Sequence, residues 1–144
     1  MVNEVSFKTA KKRKDLSSPT RYLDSEGLLK GRVLDYGCGY GYDASFFNFE
    51  KYDPYFFPIL PEGEFDVIMC NYVLNVVFED EQELILKRLS SFLIFGGNAY
   101  ITVRRDKDFK EGFNKMGTYQ RNVFLDLPIL YEKKNRYCIY HLNK

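Results

Sequence analysis

The chain has 144 residues, 45% of them hydrophobic and 17% aromatic with no Trp, and a formal net charge of +1. That length suits one domain around one core, and the near-neutral balance gives no overall field toward nucleic acid or a membrane. No apolar run approaches the roughly 20 residues that span a bilayer, and three scattered cysteines with one histidine, His141, give neither a disulfide framework nor metal-ligand spacing.

Residues 1–20 read as a basic N-terminal arm carrying Lys11–Lys14, with 21–144 as a single domain. The first residues are charged and lack the apolar stretch of a secretory signal, so a reducing cytoplasm is the expected compartment. Ser17, Ser18 and Pro19 read as an interruption, with a short helix expected between Arg21 and Lys30 and stopped near Gly27. "GRVLDYG" is a buried strand, "YDASFFNF" a helix of about two turns, and "KYDPY" a short strand cut off by Pro54. "FFPILPEGE" is a loop, and Phe65–Cys70 a second buried strand.

"EDEQELILKRLSSFL" carries helical periodicity, with Asp80 as the expected cap, Glu83 three residues on, and Ile85, Leu89, Phe92 and Leu93 on one face. Gly96 and Gly97 read as its stop, and "NAYITVRR" as a strand. The tail holds "YQRNVFL" and then two strands in "PILYEKKNRYCIYHL", joined by a turn near Lys134–Asn135. This order describes an α/β domain with a mostly parallel sheet and a C-terminal antiparallel hairpin.

The stretch "RVLDYGCGYGYD" places an acid and three glycines where a strand turns into a helix. Glycine there permits positive φ and lets a ligand approach the main chain. Ligands of open α/β sheets sit beyond the carboxyl ends of the strands. Asp53 lies 18 residues after Asp35, at the end of the next strand, where a carboxylate can accept hydrogen bonds from ribose hydroxyls. A dinucleotide fingerprint would need glycine where Tyr42 stands, so an oxidoreductase fragment is disfavoured.

The spacing Asp35-x-Gly37-x-Gly39-x-Gly41 resembles the first motif of class I methyltransferases that use S-adenosyl-L-methionine. "GLLKGRVLDYGCGYGYD", "KYDPYFFP" and "FDVIMCNYVLNVV" together are similar to the methyltransferase-like proteins associated with DNA phosphorothioation and their phage relatives. The resemblance implies a reduced Rossmann-like methyltransferase fold. It implies that Asp35, Gly37, Gly39 and Gly41 form the cofactor loop, oriented by Asp43, that Asp53 holds the ribose, and that Asn71 and Tyr72 line the methyl end. The residue reading leaves Asn71 and Asn75 equally open as turn caps, and Tyr72 as core.

Only 11 residues separate Asp53 from Phe65, so the usual intervening helix, strand and helix are missing, with the acid that reads the adenine amino group. Tyr55 or Phe56 is then expected to stack on the adenine. No base can be assigned: there is no Asn-Pro-Pro-Tyr, Cys38 and Cys70 are expected to be inert, and His141 lies in the tail. Lys11–Lys14, with Tyr119, Arg121 and Arg136, offer contacts to a nucleic-acid acceptor, against a plainer reading as a solvated arm and an ordinary hairpin face. The functional alternatives are a methyltransferase of unknown acceptor and a non-catalytic module that binds the cofactor or a protein partner.

Overall fold

A computed structural model describes residues 3 and 5–144. Six strands form one sheet: β1 (Val33–Tyr36), β2 (Glu50–Tyr52), β3 (Phe65–Asn71), β4 (Leu93–Arg104), β7 (Ile129–Lys133) and β8 (Tyr137–Asn143). Their order is β2-β1-β3-β4-β8-β7, with the first four parallel and β8 and β7 antiparallel. β5 (Gly112–Phe113) and β6 (Tyr119–Gln120) make a separate small hairpin. The α/β architecture and terminal hairpin are as the sequence implies.

Alternation along the buried strands feeds two apolar layers. Leu34, Ile68, Cys70 and Ile101 meet Ile85 and Leu89 of α3 (Glu79–Phe92). Val33, Val67, Met69 and Ile139 meet Leu23 of α1 (Ser18–Ser25). The third helix, α2 (Tyr42–Phe47), is short and follows the glycine loop.

Three local expectations need correction. α1 begins at Ser18, not Arg21, because Pro19 stands in its first turn, where its missing N–H costs nothing and its φ is already helical. Helix α3 is preceded by Phe78 at the cap position, and Asp80 lies inside the first turn, where Glu79, Asp80 and Glu81 favour the positive end of the helix dipole. Gly96 and Gly97 do not stop α3, which ends at Phe92. They bulge β4 instead: Phe65 faces Leu93 but Val67 faces Asn98, and Gly96 has φ +82°.

The missing unit between β2 and β3 is replaced by a turn and a clamp. Asp53 and Phe57 exchange backbone hydrogen bonds of 3.0 Å. Arg32 then holds the rest of the loop: Nε and Nη2 donate to the Glu50 carboxylate at 2.7 and 2.6 Å, and Nη2 and Nη1 to the carbonyls of Glu62 and Glu64.

The segment after β4 is tied down by Asn75, which is fully buried. Its Nδ2 donates to the Arg121 carbonyl at 2.9 Å and its Oδ1 accepts from the Arg104 amide at 2.8 Å. Removing both partners leaves a buried carbonyl and N–H unpaired, each costing about 1–3 kcal/mol. Asn75→Ala is therefore expected to destabilise the fold by about 2–4 kcal/mol, read as a lower midpoint in urea with an unchanged slope.

Candidate functional site

Because β1, β2 and β3 run parallel, their carboxyl ends share one edge, and the loops leaving them converge there. The turn after β1 is fixed by the end of β2: the amides of Gly37 and Cys38 both donate to the Tyr52 carbonyl, at 2.7 and 3.0 Å. Gly37, Gly39 and Gly41 have φ of +77°, +57° and +81°, the left-handed region that L side chains rarely adopt. The loop therefore presents bare main chain.

A cavity of about 600 Å³ opens at this edge, and all eight residues singled out above line it: Asp35, Gly37, Gly39, Gly41, Asp43, Asp53, Asn71 and Tyr72. Its size falls within the usual range for small-molecule and cofactor pockets.

Asp35 is buried, and no described residue donates a hydrogen bond to it. Burial pushes its carboxyl up to about 8, with repulsion from Asp43 and Asp53 adding to the shift and Arg13 opposing it. Asp43 instead ties α1 to the loop. It accepts from the Ser17 amide at 3.0 Å and from the hydroxyls of Ser17 and Thr20 at 2.5 and 2.7 Å. Asn71 joins this network by donating from Nδ2 to Thr20 Oγ1 at 3.0 Å.

Asp53 holds the loop together. Its Oδ2 accepts from the Gly39 amide at 2.9 Å, and its Oδ1 from the amides of Tyr55 and Phe56 at 2.9 and 3.0 Å. Oδ1 is saturated, while Oδ2 keeps a lone pair for one hydroxyl of an occupant. Asn71 Oδ1 and Gln120 Oε1, both on residues of the cavity wall, are buried without a partner among the described residues. They are acceptors for a ligand donor.

Tyr72 also lines the cavity and is half-buried against the α1-side core. It sits at φ +61°, strained for a bulky residue. Burial raises its hydroxyl to about 12, which keeps it neutral. Cys38 and Cys70 are likewise pushed up by burial and stay protonated. His141 is away from the cavity wall, with Nε2 2.6 Å from Asn98 Oδ1 and its ring stacked on Tyr100.

The N-terminal arm is anchored at several points, although Lys11–Lys14 themselves are exposed, as the plainer reading expects. Asn3 Nδ2 donates to the Val76 carbonyl at 2.6 Å, Phe7 stacks on Tyr55 at 3.9 Å, Lys12 lies over the Tyr40 ring, and the Tyr42 hydroxyl donates to the Lys14 carbonyl at 2.8 Å. The segment forms a strap across the cavity mouth and brings Lys11 and Arg13 to its wall. No local pattern announces this, since each contact joins residues far apart in sequence. Tyr55 lines the cavity as expected, but Phe56 packs on Tyr40 instead.

Arg121 is not a surface cation. It is buried, its Nε donates to the Val77 carbonyl at 2.6 Å, and its Nη2 bonds Gln82. Tyr119 packs with Phe78 and Phe113. Among the described residues there is no cluster of metal-ligating side chains and no helix long and apolar enough to cross a membrane.

Two solved structures share this architecture. The complex of DhpI with SAH superposes with a TM-score of 0.53 at 16% identity, covering 86% of each chain. The 1,6-didemethyltoxoflavin-N1-methyltransferase of Burkholderia thailandensis, solved with 1,6-didemethyltoxoflavin and S-adenosylhomocysteine, superposes with a TM-score of 0.59 at 17% identity. That match covers 96% of this chain and 77% of the other. The fold is thus Rossmann-like. Residues 9–141 match the family described as methyltransferase domain, and the chain belongs to that family. No curated protein matches it.

Proposed function

We propose that the protein is an enzyme that methylates an acceptor with S-adenosyl-L-methionine. The observation that carries this reading is the single cavity where bare glycine main chain meets three carboxylates, Asp35, Asp43 and Asp53. The carboxyl groups beside the glycine loop suit a cationic adenosyl ligand. The cofactor supplies an electrophilic methyl group on sulfur, and the protein supplies position and water exclusion. Asp53 Oδ2 holds one ribose hydroxyl, Asp35 faces the ammonium end, and Tyr55 offers a ring to the adenine. The strap shields the mouth.

No described wall residue near Tyr72 is poised to take a proton. Tyr72 stays neutral, and Asp106 is held below the usual carboxylate range by the Arg104 guanidinium 2.8 Å away. The acceptor that fits brings its own lone pair, as an amine or ring nitrogen does. With Arg121 buried, and Lys11 and Arg13 on the cavity wall, the basic residues favour an acceptor that enters the cavity over a nucleic-acid backbone laid on the surface. The motifs quoted above support a place beside the phosphorothioation-associated proteins, and three free thiols support a reducing compartment.

Calorimetric titration tests the reading. S-adenosylmethionine and S-adenosylhomocysteine are expected to bind, NAD is not, and Asp53→Ala should weaken both adenosyl ligands at least tenfold. A folded wild-type protein that binds neither adenosyl ligand overturns the proposal. Binding with no label transferred to small metabolites, nucleic acid or protein identifies a non-catalytic module.

A further inference from the structure

The cofactor reading uses the cavity wall from the end of β2 to the end of β3 and leaves the far end unassigned. Across the sheet the order is β2, β1, β3, β4. Asp53 and Tyr55 follow β2, the glycine loop follows β1, and Asn71 ends β3 with Tyr72 just beyond. Gln120, on β6, stands one step further. Its neighbour Arg121 is joined to Asn75 twice: the Arg121 amide donates to the Asn75 carbonyl at 2.8 Å, and Asn75 Nδ2 donates to the Arg121 carbonyl at 2.9 Å. Asn75 Oδ1 in turn accepts from the amide of Arg104, the last residue of β4. These bonds pin the small hairpin at the β3–β4 end of the edge, and Gln120 lines the cavity there with Tyr72, Val76, Val77 and Arg104.

Gln120 Oε1 is buried and has no hydrogen-bond partner among the described residues. A buried carbonyl left unpaired costs the folded state free energy, so its presence calls for a partner. The surroundings indicate which kind. Val76 and Val77 are buried apolar residues, Tyr72 adds a ring, and the Arg104 guanidinium is already engaged by Asp106. Apolar walls with one hydrogen-bond acceptor suit an uncharged flat ring that carries a donor. We infer that Gln120 recognises the methyl acceptor as a neutral nitrogen heterocycle: a ring N–H donates to Oε1, while a second ring nitrogen keeps the lone pair that takes the methyl group. This deepens the functional proposal and rests on it. Gln120 accepts a hydrogen bond and takes no proton, so it sets which molecules enter and how they lie. An isostere with oxygen in place of the N–H would set lone pair against lone pair and leave Oε1 unpaired.

The test uses two pairs of probes that differ only in that group: benzimidazole against benzoxazole, and indazole against 1,2-benzisoxazole. Each is titrated by ligand-observed NMR at pH 8 into protein already loaded with S-adenosylhomocysteine, for wild type, Gln120→Leu, Gln120→Met and Met116→Ala. Wild type is expected to bind the N–H member of at least one pair about tenfold more tightly than its oxygen isostere. Gln120→Leu and Gln120→Met should bring that pair within about twofold by weakening the N–H member alone. Both substitutions also remove the unpaired carbonyl, so the empty variants should melt no lower than wild type. Met116 is 82% exposed at the tip of the same hairpin and off the cavity wall, so Met116→Ala should behave as wild type.

A loaded wild-type protein that takes up none of the four probes, or that prefers neither N–H member, overturns the inference. A preference that survives in both Gln120 variants overturns it as well, and moves the recognition to another acceptor on the wall. Equal weakening of both members of a pair assigns Gln120 to the shape of the hairpin and has the same effect. Failure of wild type to take up S-adenosylhomocysteine in the loading step is a different result, because it sinks the functional proposal and this inference with it.

Discussion

A Gly37→Ala variant is expected to melt about 10 °C below wild type and to bind S-adenosylhomocysteine at least tenfold more weakly. Two costs combine. The backbone at Gly37 has φ +77°, a conformation that costs an L residue roughly 1–2 kcal/mol. A Cβ there would also fall 2.2 Å from Cγ2 of Val73, far inside contact distance. Forcing extra volume into a packed site costs about 1–3 kcal/mol. Relief of that clash must push apart the two loops that form the cavity floor, so binding suffers with stability. The double variant Gly37→Ala/Val73→Ala separates the two costs, since it removes the clash and keeps the strained backbone. It should recover part of the lost stability. Gly96→Ala is the control: φ is +82° there and nothing lies within 4 Å, so only the backbone cost of roughly 1–2 kcal/mol applies. A Gly37→Ala protein that melts and binds like wild type would show that the loop is not held as described.

Cofactor affinity is expected to rise with pH and level off above about 8, and the rise should vanish in Asp35→Asn. The cause is the buried Asp35 carboxyl, raised from 3.8 to about 8. A cation beside it favours the ionised form, so below pH 8 binding must first release a proton, and affinity changes by up to about tenfold per pH unit. Calorimetry at pH 7 in buffers of different ionisation enthalpy should show proton release on binding to wild type and none for Asp35→Asn. Stability of the empty protein runs the other way. Between about pH 4 and pH 8 the folded state keeps a proton that the unfolded chain has lost, so stability falls as pH rises across that window. Asp35→Asn has no such loss. It should exceed wild type in stability at pH 8 by an amount on the order of a few kcal/mol, while binding the cofactor poorly. Identical pH profiles for the two proteins would refute the account.

The sheet and the glycine loop were legible in the sequence because both are written locally. A buried strand shows as Val33 and Leu34, and a turn that needs positive φ shows as glycines. The Asp35–Gly41 loop and Asp53 follow from where strand ends must lie once the sheet is parallel, whereas Asp43, Asn71 and Tyr72 came from the resemblance to class I methyltransferases; all eight line one cavity. What the sequence hid depends on distant partners. Arg121 looks like a surface cation until Val77 and Gln82 surround it. Lys11 and Arg13 look like part of a free arm until Phe7 meets Tyr55 and Asp43 meets Ser17, contacts that bring these exposed residues to the cavity wall. The start of α1 was misread for a different reason. The proline that breaks a helix interior is favoured in a first turn, and composition alone does not separate the two cases.

The strand nearest the C-terminal end of the sequence, β8, lies inside the sheet between β4 and β7. During synthesis, the parallel half can assemble while β4 still offers a long bare edge of unpaired amides and carbonyls to any neighbouring chain. That edge is covered only when residues 137–143 have left the ribosome and zipped antiparallel along it. The domain therefore runs its greatest risk of intermolecular strand pairing in the interval before residues 137–143 pair with β4.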